Sequence, residues 1–294
     1  MRGAGRRSPV SLIFDIFNYI FLGFLALTAF YPMWYILVAS FSDYTLLNAV
    51  KGLVVIPVHF NLSAYTAVFR DPMILRSYLN TLGYVCLGIV INMIMTANGA
   101  YILSRKKFFW HKFLSFMVIF TMFFQGGLIP SFLLVRSLRL YNTIWAVLLP
   151  LAINTWNMLI MRNSFEAIPE SIVESAKIDG ANDLTILIRI ILPMSKAILA
   201  VIFLYYLVAR WNGWYEYMIY IQKRERFPLQ LILREILIAN QMDTSGALSY
   251  GDTYDIQEVI KYAAIVIATI PVLVIYPVLQ KFFVKGIMVG AVKE

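Results

Sequence analysis

Few side chains in this sequence are placed for covalent chemistry; those that stand out are suited to gripping a partner. Residues 163–199 read NSFEAIPESIVESAKIDGANDLTILIRIILPMSKAIL. Within that stretch Glu174 and Asp179 offer carboxylates that an arginine can grip through two parallel hydrogen bonds. Ile172, Val173, Ala176 and Ala181 are small or apolar and fit a partner's groove. Nothing comparable points to catalysis. The phosphate-cradling pattern G-x-x-x-x-G-K-S/T is absent. His59 and His111 lie far apart beside different apolar runs and form no metal pair. Cys86 is the single cysteine, which excludes a disulfide framework or zinc cluster. It reads as a small buried apolar side chain. With no nucleophile–base pair and no carboxylate pair in the apolar runs, the chain reads as non-catalytic, with no cofactor of its own.

The elements that position these residues belong in lipid. Hydrophobic residues make up 61% of the 294 and charged residues 14%, against roughly 45–50% and 25% in soluble domains. A spanning helix needs about 20 mostly apolar residues. Six stretches qualify, near 17–41, 78–103, 113–135, 143–161, 197–218 and 259–283. The sequence therefore predicts an all-α integral membrane protein, one domain over 1–294 with six transmembrane helices. The start MRGAGRR resembles a signal peptide, but the apolar run after it is too long, so the first helix reads as retained. The net charge of +9 comes from residues flanking the spans, which makes anionic lipid headgroups a better partner than nucleic acid. Arg2, Arg6 and Arg7, with Arg105, Lys106, Lys107 and Lys112 in a short loop, favour both termini inside.

That orientation puts 42–77 and 217–258 outside. The first holds Pro57, Asp71 and Pro72 and reads as an irregular connection with a short helix before the second span. In the second, LQLILREILIA has helical periodicity and reads as a helix on the membrane surface. MDTSGALSYGDTYD reads as loop. The stretch 162–196, between spans four and five, is cytoplasmic. Pro169 favours a helix start, predicting a helix over Glu170–Ile178 that Asp179–Gly180 ends, since glycine takes the left-handed conformation readily. Asn182 or Asp183 caps a second helix through about Ile191, and Pro193 marks the bend into span five. Such a helix–turn–helix serves either as a plain connector or as a docking lever; the residue types alone leave both open.

Polar residues within spans are costly and mark either a translocation path or interhelical hydrogen bonds. Asn92, Asn98, Gln125, Asn154 and Asn157 are such residues, with Asn92 and Gln125 the candidates for lining a path. Trp211, Trp214, Tyr215, Tyr217 and Tyr220 cluster at the outer end of span five, as an interfacial belt or as a stacking surface for sugar rings. The neighbouring Lys223, Arg224 and Arg226 would attract an anionic ligand such as a uronate fragment.

The spacing of Glu174-Ser175-Ala176, Asp179-Gly180-Ala181 and Ile191-Leu192-Pro193 resembles the signature loop of binding-protein-dependent ABC importer permeases, the MetI-like inner-membrane components. That signature runs Glu-Ala-Ala, three residues, Gly, then Leu-Pro about twelve residues on. Ser175 departs from it and is small enough to pack in its place. QGGLIPSFLLVRSLRLYNTIWAVLLP, WNGWYEYMIYI with FPLQLILREI, and KYAAIVIATIPVLVIYPVLQKFFVKGIMVGAVKE are similar to the carbohydrate branch, and most to its lipoprotein-linked oligosaccharide permeases.

The resemblance implies a heterodimer with a second, homologous permease subunit. It also implies two ATPase subunits that bind ATP and Mg, an extracytoplasmic solute-binding protein, and an oligosaccharide substrate. The expected location is the bacterial cytoplasmic membrane, multi-pass. It assigns ATPase coupling to Glu174, Ser175, Ala176, Asp179, Gly180, Ala181 and Pro193, with Glu174 meeting an ATPase arginine. Asn92, Gln125, Trp211, Trp214 and Tyr215 are the substrate-path candidates. A secondary transporter or channel without an ATPase is the alternative; it calls for midplane ionisable residues or an inverted repeat, and neither is visible.

Overall fold

The structure, a computed structural model, describes residues 9–50, 52–70, 72–105, 109–243 and 260–277. Its regular elements there are helical; the described residues add one isolated antiparallel bridge, Ser42 to Phe60. The chain divides into two compact units, one drawing on 1–71 and 236–268, the other on 72–235 and 269–294.

The first unit contains α1 (Pro9–Ser40), α2 (Tyr44–Ala49) and α3 (Ser63–Arg70). Helix α1 exposes Phe14, Phe17, Tyr19, Phe24 and Phe30 along its length, as expected where lipid is the solvent. Its last turn packs Val38 and Ala39 against Leu47 and Val54, with Trp34, Tyr35 and Tyr262 at the edge. Trp34 Nε1 donates to the Val55 carbonyl at 3.0 Å. The irregular connection between α1 and α4 therefore holds two short helices rather than one.

The second unit carries the elements that position the loop. They are α4 (Pro72–Ser104), α5 (His111–Phe123), α6 (Leu128–Ser137), α7 (Trp145–Leu148), α8 (Thr155–Glu166), α9 (Glu170–Ile178), α10 (Asp183–Ile186), α11 (Leu192–Met194), α12 (Lys196–Trp211) and α13 (Tyr215–Tyr220). Helix α14 (Leu229–Asp243) follows, and α15 spans Ile260–Pro277. The unit's main core joins α4, α8, α9, α10 and α12 through Ile89, Met158, Phe165, Val173, Ile186 and Ile202.

Among the described residues, three helices are long and apolar enough to cross a membrane: 11–40, 72–104 and 260–277. The other apolar runs are not straight rods. The run at 113–135 bends by 117° between α5 and α6, where Gly127 takes φ +83°. The run at 143–161 breaks between α7 and α8. Pro150 has no amide hydrogen there, and the Asn154 side chain accepts the Asn157 amide at 3.0 Å, starting α8 afresh. The run at 197–218 ends at Trp211 with Asn212 as its cap. Helix α4 begins at Pro72, earlier than expected, because proline suits a first helical turn. Residues 278–283 of the last stretch, and the loop 244–255, lie outside the described residues.

Candidate functional site

Pro169 sits immediately before α9 and Glu170 opens it, a carboxylate at the positive end of the helix dipole. The helix ends at Asp179, and Gly180 follows at φ +81°. Two backbone bonds close the turn: Gly180 N–H to the Lys177 carbonyl at 3.1 Å, and Ala181 N–H to the Ala176 carbonyl at 2.9 Å. These are the two bonds of a Schellman stop. A Cβ on Gly180 would meet nothing within 4 Å, so the backbone conformation, not space, requires glycine. Asn182 then caps α10, accepting the Thr185 amide at 2.8 Å. Of the two capping candidates, Asn182 does the work.

Asp183 carries a different duty. Its Oδ1 accepts from Tyr101 Oη at 3.0 Å and meets Lys177 Nζ at 3.3 Å. The two loop helices are thereby tied to each other and to the end of α4. Between α10 and α11 the chain makes a π-helical turn over Leu187–Ile191. Pro193 follows after Leu192, and its ring nitrogen has no hydrogen to give the Arg189 carbonyl. The segment Asp183–Met194 then meets α12 at 89°. The bend falls at Ser195, two residues beyond the proline expected to make it.

Val173 and Ala176 are buried in this chain's own core, and Ala181 packs against it. For Val173 and Ala176 this corrects the expectation that they fill a partner's groove: helical spacing puts them on the face opposite Glu174. The outward surface is Ser171, Glu174, Ser175, Lys177, Ile178 and Asp179. Ser175 Oγ donates to the Ser171 carbonyl at 2.9 Å, so the hydroxyl is satisfied within its own helix.

At the other end of α12 lies a residue whose importance was not read from the sequence. Arg210 is buried at 7% exposure. Its Nε donates to Asn92 Oδ1 at 3.0 Å. Nη1 reaches the Val147 carbonyl at 3.3 Å, and Nη2 reaches those of Leu148 at 3.3 Å and Leu151 at 2.9 Å. The cation thus sits on carbonyls at the C-terminal, negative end of α7. Asn92 gives its own amide hydrogens to the Leu151 and Ala152 carbonyls at 2.6 and 2.8 Å. Gly88 makes the room, since a Cβ there would stand 3.1 Å from Arg210 Nε. An arginine within an apolar run was the available signal.

The other path candidates scatter. Asn92 is fully buried within this node rather than on an open surface. Gln125 is exposed in the break between α5 and α6. Trp211 is buried and stands edge-on to Tyr78 at 5.8 Å. Trp214 carries the Arg234 guanidinium 3.8 Å over its ring, and Tyr215 stands edge-on beside it at 5.6 Å. Tyr217 and Tyr220 are core residues with Val135 and Val147. Asn98 bonds its own helix, at the Ile94 carbonyl. Arg224 pairs with Glu235 at 3.0 Å, and Arg226 donates to the Asn142 carbonyl at 3.0 Å, while the exposed Lys223 has no described side-chain partner. Cys86 is exposed on α4 rather than buried.

Residues 73–289 match the family described as "Binding-protein-dependent transport system inner membrane component". The chain is 40% identical over 282 residues to the polygalacturonan/rhamnogalacturonan transport system permease protein YtcP of Bacillus subtilis (strain 168), covering 96% of this chain and 98% of that protein. Protein LplC of the same organism is 37% identical over 281 residues, covering 96% and 95%. A solved chain from a bacterial ABC transporter involved in the import of the acidic polysaccharide alginate superposes with a TM-score of 0.85 at 36% identity, covering 95% of this chain and all of that one. The chain belongs to the binding-protein-dependent transport system inner membrane components, the MetI-like permease subunits of ABC transporters.

Proposed function

We propose that this chain is one of two membrane subunits of an ABC importer for an acidic oligosaccharide, and that the loop of α9 and α10 is where a separate ATPase subunit grips it. One observation carries the coupling half of this reading: a loop closed by its own backbone bonds presents Glu174 and Asp179 outward and joins α12 through an 89° bend. ATP-driven closure of two ATPase subunits draws such loops together and opens the translocation path outward; hydrolysis reverses it. Glu174, Ser175 and Asp179 face the partner. Gly180 and Pro193 shape the turn and the arm, while Ala176 and Ala181 hold the loop to its core.

The substrate half rests on one relative named for polygalacturonan/rhamnogalacturonan transport and on a structural neighbour involved in the import of alginate. Alginate is an acidic polysaccharide. In this reading the chain has six spans, some of them bent, with both termini and the loop in the cytoplasm of a bacterial inner membrane. It forms one membrane domain over its 294 residues. A solute-binding protein delivers the sugar from outside, and ATP and Mg reside on the ATPase chains. Gln125, Trp214 and Tyr215 remain the surface-accessible candidates for the path.

Proteoliposomes holding the assembled complex and its binding protein test this. Uptake of oligogalacturonate with ATP inside, and of its neutral methyl ester at least tenfold more slowly, is the expected result. Uptake without ATP, or by this chain alone, contradicts the coupling half; equal uptake of the neutral ester contradicts the substrate half.

A further inference from the structure

Four arginines lie in or against residues 222–235, and their charges are handled in two ways. Arg76 pairs with Glu225 at 3.1 Å, Arg224 pairs with Glu235 at 3.0 Å, and Arg226 donates to the Asn142 carbonyl at 3.0 Å. Arg234, on α14, has no ion pair among the described residues. Neutral groups hold it instead. Its guanidinium lies 3.8 Å over the Trp214 ring, and Nη1 donates to Met218 Sδ at 3.1 Å. A surface arginine ordinarily samples many rotamers; stacking on an indole with a second contact fixes the plane of this one. Nε and Nη2 have no described partner, and neither is buried. They form the edge that takes the two oxygens of a carboxylate side by side. The acids close by in sequence do not fill that edge. Glu235 is held by Arg224, and Glu216, the one acid of α13, makes no ion pair with Arg234. Neutral anchors thus aim the cation without consuming its charge.

We infer that Arg234 reads the carboxylate of a uronate unit at the outer approach to the path, with the Tyr215 ring packing against the sugar; this rests on the substrate half of the reading above. Tyr215 is 43% exposed and stands edge-on to the same indole at 5.6 Å. Ring and cation share Trp214, so they can be no farther apart than those two contacts laid end to end, a span that one or two sugar units bridge. An exposed aromatic ring takes the C–H face of a pyranose, and the free guanidinium edge takes its carboxylate. A lipid phosphate would use the cation and not the ring. A neutral sugar would use the ring and leave the cation unpaired. An acidic sugar uses both, which makes Arg234 the residue that tells acid from neutral.

The test uses the assembled transporter with its binding protein in proteoliposomes, and follows uptake of oligogalacturonate and of its neutral methyl ester together with ATP hydrolysis. Arg234→Gln should lower the oligogalacturonate taken up per ATP hydrolysed about tenfold. Stimulation of hydrolysis by the loaded binding protein should persist, and the slow uptake of the ester should not change. Arg76→Gln, which removes a cation already paired with Glu225, should keep the full preference for the acid. A wild-type preference that survives Arg234→Gln overturns the inference and leaves the substrate reading standing. Equal loss of both sugars in Arg234→Gln also overturns it, since a purely structural role predicts that result, as does an equal loss of preference in Arg76→Gln. A loss seen in vesicles containing phosphatidylglycerol and absent in pure phosphatidylcholine assigns the cation to a lipid phosphate and overturns it too. A wild-type complex with no preference for the acid overturns both the inference and the substrate reading.

Discussion

The two ends of α12 are built on opposite principles. At its start, the loop is held in shape by backbone bonds around Gly180 and by the Asn182 cap, while its carboxylates lie at the surface. Ion pairs exposed there, such as Lys177–Asp183, contribute little each, about 0–1 kcal/mol. At its far end, about 24 Å away for a 16-residue helix, Arg210 is sealed among carbonyls and the Asn92 amide. Exposed side chains can be exchanged at the first end with little cost to folding. At the second, each donor has a waiting acceptor, and removing one leaves the other unsatisfied. A loop offered to a partner and a node that joins α4, α7 and α12 are thus distinguishable by burial and hydrogen bonding alone.

Arg210→Met should show the largest effect. It strips a donor from the Val147 and Leu148 carbonyls and from Asn92 Oδ1, at about 1–3 kcal/mol for each buried acceptor left unsatisfied. The expected outcome is a sharp loss of folded subunit, read as monodisperse yield and melting temperature in detergent. Wild-type values would erase the contrast between the two ends. Gly180→Val comes next. Forcing a β-branched residue to φ +81° costs about 1–2 kcal/mol, and because the space is open the damage should stay in the turn. Membrane insertion should persist while ATPase retention falls several-fold. If insertion fails as it does for Arg210→Met, the loop is not separable from the fold. Ser175→Ala should be the smallest, within about 0.5 kcal/mol, with uptake unchanged, because the hydroxyl bonds only its own helix. A strong effect on uptake would show that the Ser175 hydroxyl, and not only the small size of the side chain, is needed at the partner surface.

The loop was legible in the sequence because its signals are local. Pro169, Gly180 and Asn182 each act on the next few residues, and the helix Glu170–Ile178 has the predicted bounds. Hydropathy could not see the broken spans, since Gly126, Gly127 and Pro150 interrupt the backbone without interrupting the apolar run. The node was out of reach for another reason: Asn92 and Arg210 are 118 residues apart, and neither position alone announces the other. Asn92 therefore looked like a path residue when its amide is used in holding three elements together. The same blindness affected Val173 and Ala176, whose small size fits a partner's groove as well as it fits the core they occupy.

Glu174→Ala tests the division most directly. The carboxylate is exposed on α9, so the variant should insert, fold and melt as the wild type does. ATP-driven uptake in the reconstituted complex should fall at least tenfold, with ATP hydrolysis no longer stimulated by the loaded binding protein. Wild-type uptake by a fully assembled Glu174→Ala complex would contradict the coupling role of the loop.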